Sequence, residues 1–316
     1  MPKRILIIDD AHDSLFALLE EAGFAYDYLP SLRRADLLAC VHNYEGVILR
    51  SKTHFDKALF EKASQLEFIA RAGSGIEIID LEEAQKRKIH VINAPEGNRD
   101  AVAEQAMGML LSLLHRVFIA HQEVREGLWQ RAENRGTELK GKVVALIGYG
   151  HVGSQMAKRL SAFDCEVLAY DHKPSPYTDA HAREAEMAEI FERADILSLH
   201  VSMNEANRHL VDERYLSKFQ KPILLLNTSR GEVLSLAALC EALRKGKVWA
   251  AALDVLENEK IDRLQADQQI HFDFLRQHPA VLLTPHIAGW TWESYRRINE
   301  VLVKKIVAIY STSSSL

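Results

Sequence analysis

The sequence has only three cysteines, Cys40, Cys165 and Cys240, odd in number, widely spaced and set among apolar neighbours. That pattern argues against a disulfide framework, a cysteine metal site and a thiol nucleophile, and leaves buried structural thiols as the expectation. No apolar run approaches the ~20 residues needed to span a bilayer. Met1-Pro2-Lys3-Arg4-Ile5 leads directly into a β-like run, without the charged stretch, apolar stretch and cleavage site of a signal peptide. Positive charge is not in excess: the net charge is −5 and the pI about 6.3. The chain therefore lacks the electrostatic footprint of a nucleic-acid or anionic-membrane binder. HExxH and GxSxG are both missing, so neither a catalytic metal nor a serine nucleophile elbow is expected. What is present is a composition 47% hydrophobic and 26% charged over 316 residues. That is enough for two domains with their own cores, and a cytoplasmic location is expected.

Read in order, short β-branched runs alternate with segments of helical period. Strand-like runs fall at 4–8, 24–29, 46–49, 67–70 and 90–93, with helical segments after Asp10, at 32–40, 56–65 and 81–87. Residues 94–98 read as a loop and a hinge, and 100–122 as one long helix, apolar on most faces and so buried between two βα units. The alternation resumes with strands at 196–200, 223–227, 249–253 and 281–284 and a helix at 236–243. Residues 262–277 read as a polar helical excursion, 292–310 as a last helix returning to the first domain, and 311–316 as a frayed tail. The expected fold is α/β: two Rossmann-like or flavodoxin-like doubly wound parallel-sheet domains, the first discontinuous.

One stretch organises the rest. Val143 to Ile147 is a buried-looking strand that ends in Gly148-Tyr149-Gly150-His151-Val152-Gly153 and passes into a helical pattern. A second strand at 166–170 ends at Asp171, 18 residues beyond Gly153. This is a dinucleotide fingerprint in its proper context. Gly148 serves the tight turn, Gly150 the approach of a pyrophosphate, and Gly153 the packing of helix on strand, with the helix N-terminus facing the phosphate charge. Asp171 would accept from the adenosine ribose hydroxyls and repel a 2′-phosphate, so NAD is expected rather than NADP. Lys173 is the neighbour that could soften that preference.

Three polar clusters follow strand ends, where ligands bind in open α/β sheets. Arg230, in Asn227-Thr228-Ser229-Arg230-Gly231, can clamp a carboxylate. Asp254 is followed by Glu257 and Glu259, either of which could serve a histidine. His286, in Thr284-Pro285-His286-Ile287-Ala288-Gly289, is the acid/base candidate among 14 histidines, with His200 the one other to watch. An acid beside His286 would favour imidazolium, able to protonate a carbonyl oxygen as hydride arrives from a nicotinamide. Arg230 would meanwhile hold the substrate carboxylate.

With Arg71-Ala72-Gly73-Ser74-Gly75, Ala101-Val102-Ala103-Glu104, Gly127-Leu128-Trp129, Glu138-Leu139-Lys140-Gly141-Lys142 and Ala252-Leu253-Asp254-Val255, these motifs resemble, in order and over nearly the whole chain, the D-isomer-specific 2-hydroxyacid dehydrogenases. The resemblance implies a substrate domain at 1–99 plus 291–316 and an NAD-binding domain at 100–290, closing over a cleft, usually as a homodimer. It makes Arg230, Glu259 and His286 the catalytic set, choosing Glu259 over Glu257, and puts Asp254 by the nicotinamide carboxamide. His151, Val152, His200, Val201, Thr228, Ser229 and Gly289 join the fingerprint glycines around NAD. Arg50, Ser51, Arg71, Ser74 and Gly75 match segments that hold substrate in the short phosphoglycerate dehydrogenases. The expected substrate is thus a small 2-hydroxy or 2-oxo acid, phosphorylated, foremost 3-phospho-D-glycerate, the substrate of the first step of serine synthesis.

The chain departs from the family pattern at His151, Ser202, Lys260 and Glu77-Ile78, and in a long excursion at 261–280. A glyoxylate or hydroxypyruvate reductase, or another D-2-hydroxyacid dehydrogenase such as an erythronate 4-phosphate dehydrogenase, is the alternative within the family. A non-enzymatic NAD-sensing corepressor is the alternative outside it. No regulatory C-terminal domain is expected.

Overall fold

The computed structural model describes residues 2–172 and 176–312; Lys173 lies outside them, as does most of the expected tail. The chain divides into two compact units, Met1–Arg99 with Trp290–Leu316, and Asp100–Gly289. Among the described residues no single helix is long and apolar enough to cross a membrane.

The first unit holds strands β1 (Arg4–Ile7), β2 (Ala25–Tyr28), β3 (Gly46–Leu49), β4 (Phe68–Arg71) and β5 (His90–Asn93), all parallel, in the order β2-β1-β3-β4-β5. Helices α1 (Ser14–Glu21), α2 (Arg34–Cys40), α3 (Lys57–Lys62) and α4 (Leu81–Lys86) connect them. The period of two sorts side chains onto opposite faces. Leu6, Val47, Leu49 and Ile69 enter one core, and Ile5, Ile7, Ile48, Phe68 and Ala70 enter the other, with Ile298, Leu302 and Ile306. Asp56 and Asp80 cap α3 and α4, their side chains accepting from Leu59 N and Glu83 N.

Helix α5 (Pro95–Leu114) corrects the expected loop and hinge at 94–98. A proline in the first helical turn loses no bond, because that amide has no partner in a helix anyway. The expected helix 100–122 is also two helices. Arg116 sits in the left-handed region, φ 54°, and α6 (Val117–Arg125) leaves at 64° to α5.

The second unit carries β6 (Val143–Ile147), α7 (His151–Leu160), β7 (Glu166–Tyr170), β8 (Arg183–Glu184), α8 (Met187–Arg193), β9 (Ile196–Leu199), α9 (Glu213–Ser217), β10 (Ile223–Asn227), α10 (Leu236–Arg244), β11 (Val248–Leu253), α11 (Ala266–Gln277) and β12 (Val281–Leu283). Its seven strands are parallel, in the order β12-β11-β10-β9-β6-β7-β8. Val143, Ala145 and Ile147 face one core, Val144 and Leu146 the other, so β6 is buried on both sides. Within the expected excursion, α11 packs on the second unit: Leu275 is fully buried and the Cys240 thiol donates to His271 O. Helix α12 (Trp292–Thr312) belongs to the first unit, two residues longer than expected.

Candidate active site

β10, β11 and β12 are neighbours in the sheet, so the segments beyond their carboxyl ends, far apart in sequence, lie side by side. Asn227, fully buried, shapes the first. Its Oδ1 accepts from Ser229 N (3.0 Å) and Oγ (2.8 Å), and its Nδ2 donates to Arg230 O (2.9 Å). Arg230 follows from a half-buried position, its Nη1 donating to Ser229 O at 2.7 Å. Thr228 is buried, and its Oγ1 has no hydrogen-bond partner among the described residues. At Gly231 the first and second segments touch: a Cβ there would lie 1.9 Å from Leu256 O.

Asp254, 2% exposed, begins the second segment and ties down the third. Its Oδ1 accepts from Thr284 Oγ1 (2.5 Å) and Ile287 N (2.9 Å), and its Oδ2 from Ala288 N (2.9 Å). Its carbonyl accepts from His286 N at 2.8 Å. His286 is thereby held at φ 55°, a conformation uncommon for a non-glycine residue. Its Nδ1 lies 2.9 Å from Glu259. That hydrogen bond raises the His286 pKa above the ordinary histidine range; burial and Arg230 act in the opposite sense, and the charges of Glu259 and Asp254 add to the rise. With Nδ1 engaged, Nε2 is the nitrogen left to exchange a proton. Glu257 is committed elsewhere, 2.7 Å from His209 Nε2. The two glutamates that spacing could not separate thus have different histidines, and Glu259 is the one beside His286.

The fingerprint is built as its glycines require. Gly148 turns at φ 96°, where a Cβ would meet His200 O at 2.5 Å, and a Cβ at Gly153 would lie 2.1 Å from Gly148 O. Gly150 is exposed at the start of α7, with nothing within 4 Å of its Cβ position, the open backbone a pyrophosphate needs. At the end of β7, Asp171 Oδ2 accepts from Tyr149 N (2.8 Å), which sets the carboxylate beside the glycine turn. These features fit a dinucleotide. His151 is exposed and Val152 half-buried on α7; Val201 and Gly289 are half-buried, and Ser229 is buried. His200 is lowered to about 4 by burial, and its Nε2 is 2.9 Å from Ser198 Oγ. Its backbone and Cβ pack against Gly148 and Gly153 and line the glycine turn.

The substrate candidates all lie in the first unit. Arg50 and Ser51 follow β3; Arg71 ends β4 and donates from Nε to Arg50 O (3.1 Å), joining the two loops. Ser74 and Gly75 continue the second loop, where Asn93 Nδ2 donates to Ser74 O at 2.6 Å. The Arg50 guanidinium lies 4.9 Å from the Trp290 ring and 4.4 Å from that of Tyr295, and Nη1 donates to the Tyr295 hydroxyl. Backbone N–H groups of Arg50 and Ser51 donate to Asp9 Oδ2. Asp9, Trp290 and Tyr295 belong to none of the motifs legible in the sequence, and Gly231 is legible there only as the neighbour of Arg230. For Asp9, an acid directly after a β-branched run in a parallel sheet is the available signal.

Residues 107–288 match the sequence profile of the family described as D-isomer specific 2-hydroxyacid dehydrogenase, NAD binding domain. A hydroxypyruvate reductase of Thermotoga maritima is 34% identical over 275 residues, 87% of this chain and 88% of that protein. A D-3-phosphoglycerate dehydrogenase of Methanocaldococcus jannaschii is 34% identical over 263 residues, 81% of this chain but 49% of that protein. The chain spans about half the length of the curated phosphoglycerate dehydrogenases it matches. The structure of a D-lactate dehydrogenase from Aquifex aeolicus, complexed with NAD and lactic acid, aligns over 98% of this chain and 96% of that one, with a TM-score of 0.83 and 25% identity.

Proposed function

The chain belongs to the D-isomer-specific 2-hydroxyacid dehydrogenases, NAD-dependent oxidoreductases, and within that family we propose that it interconverts a small D-2-hydroxy acid and its 2-oxo acid at Arg230 and His286. The observation that carries this reading is the His286–Glu259 pair on a loop fastened by Asp254. In the oxidative direction neutral His286 takes the proton of the C2 hydroxyl, and Glu259 stabilises the resulting imidazolium. In the reductive direction the same imidazolium protonates the carbonyl oxygen. Arg230 holds the substrate carboxylate through its guanidinium fork. Bound NAD supplies the hydride acceptor, held by Gly148, Gly150, Gly153 and Asp171 with His151, Val152, His200, Val201, Thr228, Ser229 and Gly289 about it.

Two substrates have specific support. Arg50 and Arg71, cations at adjacent strand ends, support 3-phospho-D-glycerate, which would place a cytoplasmic enzyme at the start of serine synthesis. One relative matched over most of its length is named a hydroxypyruvate reductase, which supports an unphosphorylated three-carbon acid. Initial rates of NADH oxidation with 3-phosphohydroxypyruvate, hydroxypyruvate, glyoxylate and pyruvate test the reading. Turnover of at least one is expected, and NADH binding without turnover of any would favour a sensor. A homodimer is part of the proposal. Helix α6 buries none of its side chains, and Val117, Val124, Leu128 and Trp129 are exposed along it and beyond it. Sedimentation equilibrium should give twice the chain mass.

A further inference from the structure

Past Asp254 the chain runs through residues 255–260 to a single helical turn, Ile261–Arg263, and Glu259 lies in that run. Among the described residues, backbone-to-backbone hydrogen bonds stop at Asp254 and resume at Lys260. Leu256 packs on the core of the second unit. Glu259 and His286 are not so anchored, with 45% and 48% of their side chains exposed. An exposed ion pair is weak, because two free side chains must be ordered to make it and water screens it. A contact at 2.9 Å between such partners needs a loop already held in place.

Side chains on two other elements reach that loop. On one side His209 Nε2 lies 2.7 Å from Glu257, two residues before Glu259. His209 belongs to the connection between β9 and α9, which runs along the turn after Arg230: His209 N donates to Glu232 O (2.7 Å) and Val211 N to Val233 O (3.0 Å). Its backbone is left-handed, φ 49°, a conformation uncommon for a non-glycine residue. On the other side stands α11, in the polar excursion. Gln268 Oε1 accepts from Gln265 N (3.1 Å), which caps the helix, and from Asn258 Nδ2 (3.0 Å). Asn258 Oδ1 accepts in turn from Lys260 N (3.0 Å), closing the chain around Glu259. Every one of these residues lies in the second unit.

We infer that His209 and Gln268 are positioning residues for the acid/base pair: by holding Glu257 and Asn258 they present Glu259 to His286. The excursion then serves the reaction through α11, and Glu257 serves it without meeting His286. This role rests on the dehydrogenase reading for its use in catalysis, while the hold itself is measurable without turnover.

The test follows the titration of His286 in the full chain by NMR with labelled histidine, its resonance assigned by its loss in His286→Ala. Glu259→Gln gives the full effect of losing the acid. His209→Asn is too short to reach Glu257 yet accepts the left-handed backbone, and Gln268→Ala removes the other hold. Each should move the His286 midpoint to lower pH by roughly half a unit, about threefold in the protonation equilibrium. Asp254 and Arg230, which also act on His286, are untouched in both variants. In a Glu259→Gln background neither change should move the midpoint further, because both act through Glu259. His209→Gln, which extends an amide donor towards Glu257, should recover it. With hydroxypyruvate or 3-phosphohydroxypyruvate, whichever is reduced, the pH profile of kcat should shift in step. A midpoint unmoved in His209→Asn and Gln268→Ala, or shifted equally with and without Glu259, overturns the inference. If circular dichroism shows His209→Asn unfolded, Gln268→Ala decides. A midpoint that Glu259→Gln itself leaves in place sinks the acid/base reading and this inference together; one that only Glu259→Gln moves sinks the inference alone.

Discussion

Asp254→Asn separates a residue that fastens the catalytic loop from one that only meets the cofactor. The carboxylate is 2% exposed and accepts three bonds, from Thr284 Oγ1, Ile287 N and Ala288 N. A carboxamide has one acceptor oxygen. In its less damaging orientation that oxygen stays with Thr284 and Ile287, and Nδ2 faces the Ala288 N–H, donor against donor. One buried amide then goes unpaired, at about 1–3 kcal/mol, and two bonds lose the charge that strengthened them. A total of roughly 2–4 kcal/mol follows. At about 2–4 °C per kcal/mol for a domain of this size, the melting temperature of the second unit should fall by roughly 5–15 °C. Because His286 N bonds Asp254 O and the same loop carries the imidazole, kcat should fall as well. Calorimetry on protein free of nucleotide makes the distinction. A cofactor-only role would weaken NADH binding and leave that melting curve where it was. An unchanged melting temperature in the variant would show that Asp254 does not fasten the loop.

Glu259 raises the His286 pKa, so the imidazolium persists above the ordinary histidine range. Reduction, which consumes that proton, should decline as pH rises through the raised pKa, while oxidation, which needs the neutral ring, climbs over the same interval. In Glu259→Gln both midpoints should move to lower pH, and coincident profiles for variant and wild type would exclude the pairing. His286→Ala should cut turnover by ~10²-fold or more with NADH affinity retained in fluorescence titration; wild-type turnover would move the acid/base role elsewhere. Asp171→Ala should narrow the difference between NADH and NADPH dissociation constants, and undiminished discrimination would sink the ribose assignment. Gly231→Ala forces a Cβ to within 1.9 Å of Leu256 O. The Arg230 loop must shift, and kcat/KM should drop on the order of 10²-fold, since ångström misplacement near the chemistry has that effect. Retained activity would show the two segments to be more compliant than their contact implies.

The sequence carried the parallel α/β plan because buried strands read as continuous apolar runs. All five residues of β6 and of β10 are buried, and β3, β5 and β10 fall where the runs are. The fingerprint was legible for a different reason: Gly148 and Gly153 answer backbone clashes, and clash leaves a spacing. Illegible were features set by tertiary neighbours. Nothing local marks Arg116 as left-handed, so α5 and α6 read as one helix. The two exposed residues of β8 have no apolar pattern at all. Glu257 and Glu259 are alike in sequence and differ only in which histidine stands opposite. Nothing local marks Gly231 as a contact, because its clash partner, Leu256, lies on another strand's extension.

Asp9 and Asp254 are the same device used to different extents. Each is a buried carboxylate just past a strand end, β1 in one case and β11 in the other, and each gathers the backbone of a neighbouring loop. At Asp254 the duty needs both oxygens, because donors arrive at Oδ1 and Oδ2. At Asp9 the donors arrive at Oδ2 alone. A carboxamide oxygen could accept those bonds without burying a charge, and burying charge is expensive. Fastening the Arg50 loop therefore accounts for an oxygen at position 9 but not for a carboxylate.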